Sequence, residues 1–349
     1  MQVDVLIVGQ GLAGSLLARR LDGRATLAVV DPGVMNSSRV AAGLMTPLTG
    51  RRFTLTPEYP ALFARAAAEL GALGVFRPTD VLRLFADDAQ RAMGLRRADC
   101  ATCQPFIRKV AETGRLDPEL ADPHGGILMA GAWCDLPRLM DETRAWLGGR
   151  LLRDRVDVAD LRDTAEGVEW KGLSARHVVW CDGWRASLPG GPFAHLAWQP
   201  AKGEVLDLMS DAPVKPYVLN REGWALPLGD GRWRTGTNWS WEDLGETPSP
   251  AQVDKLLGRF RGYFRSPVSA TVTGHLAGTR PCTRDNRPFV GRHPSRPAHW
   301  LLNGLGPRGT VWSTTAVDAL VGALLDGAPI PPRIDLGRDV RERDQDGNP

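Results

Sequence analysis

Three glycines near the amino terminus have the spacing of a phosphate-binding turn. Gly9, Gly11 and Gly14 form the pattern G-x-G-x-x-G directly after the apolar run of residues 3–8. The first glycine permits a tight turn, the second lets a pyrophosphate approach the backbone, and the third lets a helix pack against the strand. That helix would offer unpaired N–H groups to the phosphates. The pattern therefore predicts that this chain binds a dinucleotide.

An acidic residue completes the motif. Leucines follow the glycines at near-helical spacing, and a second β-rich run, Leu27–Val30, ends at Asp31. A carboxylate at this position accepts hydrogen bonds from ribose hydroxyls, and its charge repels a 2′-phosphate, so FAD or NAD is favoured over NADP. The order strand, glycine turn, helix, strand and acid predicts a Rossmann-like unit.

The elements after this unit are less regular. Residues 36–52 are small and polar, and a helix is predicted over about 59–73. The further predicted elements are strands 81–85 and 126–130, an amphipathic helix Leu136–Leu147, and strands 151–158, Gly167–Trp170 and 177–180. Residues 300–327 then repeat the order strand, glycine-rich turn and helix, which favours one nucleotide-binding domain assembled from both ends of the chain.

Residues 198–273 follow a different pattern, in which short β-rich runs alternate with turns. The glycines of the GDG at 229–231 accept positive φ, which indicates a hairpin. Five of the twelve tryptophans lie between Trp198 and Trp241, as suits an antiparallel sheet that forms a pocket wall. The expected substrate-pocket residues are Tyr217, Trp224, Trp239 and Trp241.

Composition and charge exclude several classes of protein. The 43 Lys and Arg against 40 Asp and Glu leave a net charge of +3, so a nucleic-acid partner is not expected. Five cysteines, an odd number, indicate a reducing compartment without a disulfide framework, and we expect a cytoplasmic protein. The first residues lack the pattern of a signal peptide. No stretch approaches the roughly 18 apolar residues of a membrane span.

Other candidate chemistry is weaker. Cys100 and Cys103 have C-x-x-C spacing, but no second pair has zinc-site spacing, and we interpret both as unreactive thiols. The six histidines show no H-x-x-H or H-E-x-x-H spacing, and His275 is interpreted as structural. No G-x-S-x-G motif accompanies a plausible triad. No metal site is predicted.

Several motifs together resemble the D-amino-acid oxidase superfamily of FAD enzymes, and within it the glycine oxidase and sarcosine oxidase branch. The oxidase half of the bifunctional enzyme that modifies the tRNA wobble uridine belongs to the same group. Besides the glycine turn with Asp31, the segments that carry the resemblance are SSRVAAGLMTP, VVWCDG, PLGDGRWRTGT, AGTRPCTRDNRPFVG and NGLGPRG, in this order.

The resemblance implies non-covalent FAD and a set of residues around it. Ser38 and Arg39 are expected at the phosphates, and Ala42, Gly43 and Leu44 close to the flavin ring. Val156 is expected to face the adenine, with Cys181 and Gly183 in the turn below. The remaining implied cofactor-binding residues are Gly9, Gly11, Leu12, Ala13, Gly14, Asp31, Pro32, Gly304, Gly306, Arg308, Gly309 and Thr310.

Two arginines receive functional roles from the resemblance. Arg280 would hold the carboxylate of an amino-acid substrate, since a guanidinium fork suits a bidentate carboxylate. Arg308, with the helix N-terminus that follows it, would lie beside the flavin, where positive charge stabilises the anionic reduced ring. An ion pair with Asp285 is the alternative for Arg280.

Three positions depart from the family pattern. Asp31 stands where Glu is more usual, which shortens the reach to the ribose. Pro307 removes one N–H before Arg308. Sarcosine oxidases carry a flavin-linking cysteine at the position of Arg280, so a covalent flavin is not expected here.

The predicted fold is α/β, with a split Rossmann-like FAD-binding domain of the glutathione-reductase type and an inserted antiparallel-sheet substrate domain. The FAD-binding domain is predicted over 1–75, 143–195 and 275–335, and the substrate domain over 76–142 and 196–274. Residues 336–349 are predicted to form a charged tail.

The predicted activity is oxidation of the C–N bond of a small amino acid or secondary amine to an imine, with O₂ reduced to H₂O₂. Three alternatives stay open at this point. The electron acceptor could be a quinone or protein, the substrate could be a carboxymethylamino group on tRNA, or the chain could bind flavin without turnover. The nearly neutral charge disfavours tRNA, because RNA affinity usually comes with a clustered basic face.

Overall fold

A computed structural model describes residues 1–115 and 117–338. Its helices are α1 (Leu12–Leu21), α2 (Ser37–Val40), α3 (Tyr59–Ala72), α4 (Asp88–Ala98), α5 (Leu136–Leu147), α6 (Val253–Arg261) and α7 (Gly309–Asp326). Its strands are β1 (Gln2–Val8), β2 (Leu27–Val30), β3 (Leu44–Met45), β4 (Leu48–Thr49), β5 (Thr54–Leu55), β6 (Phe76–Pro78), β7 (Asp80–Leu84), β8 (Ile107–Ala111), β9 (Gly126–Met129), β10 (Ala132–Cys134), β11 (Leu151–Leu152), β12 (Leu161–Thr164), β13 (Gly167–Trp170), β14 (Leu173–Trp180), β15 (Ala201–Ser210), β16 (Tyr217–Asn220), β17 (Trp224–Gly229), β18 (Arg232–Gly236), β19 (Ala270–Arg280), β20 (Phe289–Arg292) and β21 (His299–Asn303).

The first strand lies at the centre of a parallel sheet. The parallel pairs give the order β11, β2, β1, β14 and β21. At one edge β20 pairs antiparallel with β21, and the β12–β13 hairpin pairs with the first residues of β14. Strands from three distant parts of the chain therefore meet in one sheet.

Both faces of the parallel sheet are covered. Val5 and Ile7 of β1 pack in one core with residues of α1, α3, α5 and α7. Leu6 and Val8 point the other way and pack with residues of β12 to β14. Successive side chains of a strand alternate between the two faces, so burial on both faces explains the uninterrupted apolar run of residues 3–8.

A second, larger sheet has the strand order β19, β15, β18, β17, β16, β7, β9 and β8. One face packs on α6 and the turn after it, where Trp233 contacts Phe260 and Phe264 edge-to-face. Its strand pairs are antiparallel except β16 with β7, which is parallel. The prediction of an antiparallel sheet is therefore wrong at this pair, because β7 joins the sheet from a distant chain segment rather than through a hairpin.

Two predicted boundaries also differ from the structure. The strand predicted over 151–158 ends at Leu152, because the N–H of Asp154 donates to the carbonyl of Leu152 and turns the chain. The predicted domain boundary before residue 275 falls inside β19. This strand runs from the large sheet to the nucleotide-binding end of the molecule. In the proposed two-domain division, both domains therefore share β19.

Two further expectations concern the ends and membrane contact. The predicted charged tail, 336–349, lies outside the described residues from 339 onward. Within 1–115 and 117–338, no helix has both the length and the apolar character needed to cross a membrane.

Replacing Gly14 by Ala tests how closely α1 packs on the glycine turn. An added Cβ would overlap the carbonyl oxygen of Gly9, so the helix must shift. We expect a loss of roughly 1–3 kcal/mol in the free energy of unfolding, as for other overpacked sites, measured by denaturant titration. Gly71→Ala in α3 is the matched control, since its Cβ would meet nothing within 4 Å. Equal stability of the two variants would contradict this packing.

Candidate active site

A cavity of about 850 Å³ lies between the two sheets. Val8, Val30, Trp180 and Asn303 line it from the parallel sheet, and each is the last residue of its strand. One face of the large sheet forms the opposite wall, with residues of β7, β15, β16, β17 and β19. Ligands of open parallel sheets bind at the carboxyl ends of the strands, which is where this cavity opens.

The glycine turn forms the floor of the cavity. Gly9 has φ of +99°, and a Cβ there would lie 2.6 Å from the carbonyl oxygen of Cys181. Only glycine fits this backbone conformation and approach. Gly11, Leu12 and Ala13 line the cavity at the start of α1, whereas Gly14 lies behind them and supports close packing. Two of the three glycines, Gly9 and Gly11, therefore line the cavity.

Asp31 lies at the end of β2, as the sequence predicts, and it is buried. Its carboxylate accepts the N–H of Gln10 at 2.8 Å and that of Gly33 at 2.7 Å. Arg144 of α5 is 3.3 Å from the same carboxylate and donates to the Gln10 amide oxygen at 3.0 Å. Because a carboxylate has about four acceptor sites, it retains capacity for a ribose hydroxyl. Gln10 and Arg144 were missed in the sequence, since no local pattern links α5 to this turn.

The segment after β2 reaches the glycine turn through one hydroxyl. Asn36 caps α2 by accepting the N–H of Arg39, and Ser38 accepts the N–H of Leu12 at 3.0 Å. Ser38 lines the cavity. The Arg39 guanidinium instead forms an ion pair with Asp141 of α5 and does not line the cavity. The structure thus contradicts the expected phosphate contact of Arg39, because its position on α2 faces α5.

Most of the other expected cofactor residues come together around the same cavity. Those that line it are Pro32, Ala42, Gly43, Leu44, Val156, Cys181, Gly183, Gly306, Arg308, Gly309 and Thr310. Gly304 does not line it, and its N–H donates to the Asn303 side chain at 2.8 Å. Gly304 therefore shapes the turn before α7 rather than presenting a surface.

A partly buried carboxyl, that of Asp182, lies between two strand ends. Asn303 donates to Asp182 at 3.1 Å and to the carbonyl of Gly183 at 2.9 Å, which ties the end of β21 to the end of β14. Burial raises the pKa of Asp182 to about 7. A carboxyl with this pKa is partly protonated near neutral pH, which limits the negative charge at this wall.

A second helix begins at the cavity. No side chain of Arg308 caps α7, and the first turn of this helix contains no acidic residue. The Arg308 guanidinium donates to Thr49 at 2.8 Å. Helix N-termini carry partial positive charge, so this end of the cavity favours an anionic group.

Arg280 ends β19 at the wall opposite the glycine turn. Its guanidinium donates to Thr237 at 2.7 Å and to the carbonyl of Ala201 at 3.4 Å. It also stacks on Trp239, with its central carbon 4.4 Å from the ring centre. Gly203 lies beneath, where any Cβ would overlap the guanidinium. The alternative partner Asp285 is bound to Arg338 instead.

Two of the four residues that were predicted to line the pocket do not line the cavity. Trp224 and Trp239 line the cavity. Trp241 stacks on Trp239 but does not line the cavity, and it is 55% exposed. Tyr217 lies on the opposite face of β16 from Asn220, and its hydroxyl donates to Asp117 at 2.8 Å. A shift of three positions along a strand reverses the face, which the sequence alone did not resolve.

The other candidate residues lie outside the cavity. His275 is 2.8 Å from the buried Glu204, consistent with a structural role. Cys103 is buried, and a hydrogen bond with Thr102 lowers the pKa of Cys100 to about 7. A thiol with this pKa is partly deprotonated near neutral pH. Among the described residues, no group of three or more metal-ligating side chains occurs.

The cavity fits the FAD that the resemblance implies. Two helix N-termini open on it, and neither α1 nor α7 has an acidic residue in its first turn. The glycine turn lets a pyrophosphate approach the backbone of α1, and Asp31 offers acceptors to a ribose. The donors and acceptors of these walls therefore match the pyrophosphate and a ribose of a dinucleotide.

Comparisons with known proteins agree with this fit. A family model described as FAD dependent oxidoreductase matches residues 4–320. Glycine oxidase from Pseudomonas putida is 27% identical, over 97% of this chain and 100% of that protein. The bifunctional tRNA 5-methylaminomethyl-2-thiouridine biosynthesis protein from Paraburkholderia xenovorans is 26% identical, over 96% of this chain but only 58% of that protein.

A solved structure supports the same conclusion about the fold. Glycine oxidase from Geobacillus kaustophilus superposes with a TM-score of 0.83 at 20% identity, covering 97% of this chain and 100% of that chain. The predicted α/β fold class is confirmed by this likeness. The predicted FAD cofactor and oxidoreductase class are confirmed by the family match.

The pKa of Asp182 predicts a specific pH dependence of stability. The carboxyl titrates at about 7 when folded and near 3.8 when unfolded, so the folded chain holds a proton between these values that the unfolded chain releases. The stability that this group contributes therefore falls as pH rises from about 4 to 7. Asp182→Asn cannot titrate and keeps an acceptor for Asn303.

Denaturant unfolding of the variant and the parent protein at a series of pH values tests this. The unfolding free energy of Asp182→Asn minus that of the parent protein should increase between pH 4 and 7 and then become constant. Other titrating groups cancel in this difference. A difference that does not vary with pH would show that Asp182 has an ordinary pKa.

Proposed function

Because the chain belongs to the family of FAD dependent oxidoreductases, we propose that it oxidises the C–N bond of a small amino acid or secondary amine. The observation that carries this proposal is the position of Arg280. A guanidinium lies on the cavity wall opposite the glycine turn, above Gly203 and against Trp239. The relatives named glycine oxidase add support for an amine substrate with a carboxylate.

Residues of the glycine turn, of a strand end and of two loops would hold the cofactor without a covalent link. Gly11, Leu12 and Ala13 at the start of α1 would bind the pyrophosphate, with Asp31 at a ribose. Ala42 to Leu44 and the turn before α7 would border the flavin ring. Bound FAD supplies an acceptor for two electrons.

Arg280 would bind and orient the substrate carboxylate. Its bonds to Thr237 and Ala201 fix the plane of the guanidinium, which leaves further N–H donors for a bidentate carboxylate. Burial lowers the pKa of Arg280, but an arginine remains protonated at neutral pH. Partial burial strengthens a charge-assisted hydrogen bond to the substrate.

Trp224 and Trp239 would exclude water from the bound substrate. Both line the cavity on the side of Arg280. Orientation of the substrate to a reacting distance of about 3–3.5 Å supplies much of the rate advantage in such a site, so no side-chain base is required. Arg308 and the α7 N-terminus would add positive potential to the same cavity.

The proposed overall reaction converts the amine and O₂ into an imine and H₂O₂. Water then hydrolyses the imine to a 2-oxo acid and ammonia or an amine. A quinone or protein acceptor in place of O₂ would make the enzyme a dehydrogenase of the same fold. Oxygen consumption during turnover distinguishes these two cases.

A second candidate substrate is a carboxymethylaminomethyl group on tRNA. The 26% identity with the bifunctional tRNA-modifying protein of Paraburkholderia xenovorans favours it. The net charge of +3 disfavours it, because tRNA affinity usually comes with a clustered basic face. Small amines are therefore the first substrates to test.

Anaerobic spectra of the purified protein test the reaction class. We expect the oxidised-flavin band near ~450 nm to bleach when glycine, sarcosine, proline or a D-amino acid is added, because the amine passes two electrons to the cofactor. Acid denaturation should release the flavin into solution if the link is non-covalent. A flavin band that no amine or modified tRNA bleaches would contradict the proposed function.

Replacing Arg280 by Ala tests the carboxylate site. Removing one partner of a buried charge pair costs about 2 kcal/mol or more, so KM for the best carboxylate substrate should rise roughly 30-fold or more while flavin stays bound. Arg280→Lys should recover part of this loss. Arg234→Ala is the matched control, since this arginine of the same sheet pairs with Asp207. Similar KM values for Arg280→Ala and Arg234→Ala would remove Arg280 from the site.

A further inference from the structure

A second arginine lies in the cavity wall without a counter-ion. Arg83 of β7 is 7% exposed and lines the cavity. One N–H donates to the carbonyl of Gly50 at 2.8 Å, and the guanidinium carbon lies 4.3 Å from the centre of the Phe53 ring. Its Nε is buried without a hydrogen-bond partner. No acidic side chain in the described parts of the chain forms an ion pair with it.

Such an arginine is costly to bury. A charge removed from water destabilises the fold unless an opposite charge or a full set of acceptors compensates. Burial lowers the pKa of Arg83 to about 10, so the group is still a cation at neutral pH. One carbonyl and one ring do not satisfy five N–H donors. The remaining donors suit an anion that enters the cavity.

The strand register places Arg83 far from Arg280. Cross-strand pairs form one row across the sheet, in the order Val205, Gly236, Trp224, Asn220 and Arg83. Four strand spacings of about 4.8 Å separate the ends of this row by roughly 19 Å. Arg280 lies over Gly203, two residues from Val205. A molecule the size of glycine cannot reach both arginines, since one extended residue spans only about 3.5 Å.

The other charged side chains at this end are engaged or exposed. Arg51 pairs with Asp87 at 3.2 Å. Arg221 donates to the carbonyls of Ala121 and Gly262. Glu222 lines the cavity but is exposed. Arg308 also lines the cavity and donates to Thr49 at 2.8 Å. Arg83 is thus a buried cation at this end with donors to spare.

We propose that Arg83 binds a second anionic group of the substrate, at the end of the cavity remote from Arg280. The substrate class is then a small amine with one carboxylate at Arg280 and a carboxylate or phosphate several bonds away. Trp224 and Asn220 line the path between the two anion sites. This inference rests on the proposed function for the role of Arg280, but the anion site itself does not require turnover.

Thioether analogues test the second site without any reaction, because they contain no C–N bond to oxidise. The probes are HOOC-CH₂-S-(CH₂)n-X with n from 2 to 6, in which X is methyl, carboxylate or phosphonate. Binding is measured by perturbation of the bound flavin spectrum. We expect at least one chain length for which an anionic end binds about tenfold or more tightly than methyl. The stronger of carboxylate and phosphonate identifies the group that Arg83 prefers.

Variants assign this preference to Arg83. In Arg83→Gln the advantage of the anionic end should disappear while the methyl-ended probe binds as before, and Arg83→Lys should retain part of it. Arg51→Gln is the matched control and should keep the advantage, since this arginine already has a partner. Flavin content reports folding of each variant, and the comparison of probe ends in the parent protein needs no variant at all.

The outcomes separate the two proposals. Equal binding of all three probe ends at every length, or an advantage that survives in Arg83→Gln, would overturn the anion site. N-alkylglycines that bleach the flavin without any preference for an anionic end would leave the proposed oxidation standing alone. A preference for the anionic end without bleaching by any amine would overturn the oxidation and keep the site.

Discussion

The close approach of Gly9 to the carbonyl of Cys181 is the constraint on which the site depends. At 2.6 Å from a virtual Cβ to that oxygen, only a glycine lets the end of β1 lie this near the end of β14. The same turn brings α1 under the cavity, and Asn303 then ties β21 to the end of β14. Three strand ends and two helix N-termini consequently converge on one volume, which is what a long anionic cofactor needs.

The large sheet contributes shape and charge to the opposite wall. A missing side chain at Gly203 makes the space in which the Arg280 guanidinium lies flat against Trp239. Cross-strand neighbours then continue the same face as far as Arg83. One wall would therefore position a ligand through side chains on strand faces, whereas the other would hold it through backbone N–H groups. The two walls differ in chemistry because one comes from strand faces and the other from strand ends.

Local chemistry explains which parts of this site were predictable. The glycine turn, Asp31 and the turn before α7 are read from short segments, because each one's conformation depends on residues close by in sequence. Arg39 and Tyr217 were misplaced for another reason. Which way a side chain points from a short helix or strand depends on tertiary neighbours such as Asp141 and Asp117. The role proposed for Arg83 could not be predicted from the sequence. A single arginine in an apolar strand indicates a binding site only when its burial is known.

The hydrogen bonds of Asn303 also have a consequence for folding during synthesis. The parallel sheet is completed by β21, and α7 behind it packs against α1 and α3, so its contacts join the two ends of the sequence. Contacts between distant segments form late, because the intervening chain must first be ordered. On the ribosome, the glycine turn emerges long before the strand that closes its cavity. The cavity therefore requires β21, and a chain made only as far as α5 would leave the apolar faces of α1 and α3 that pack on α7 uncovered.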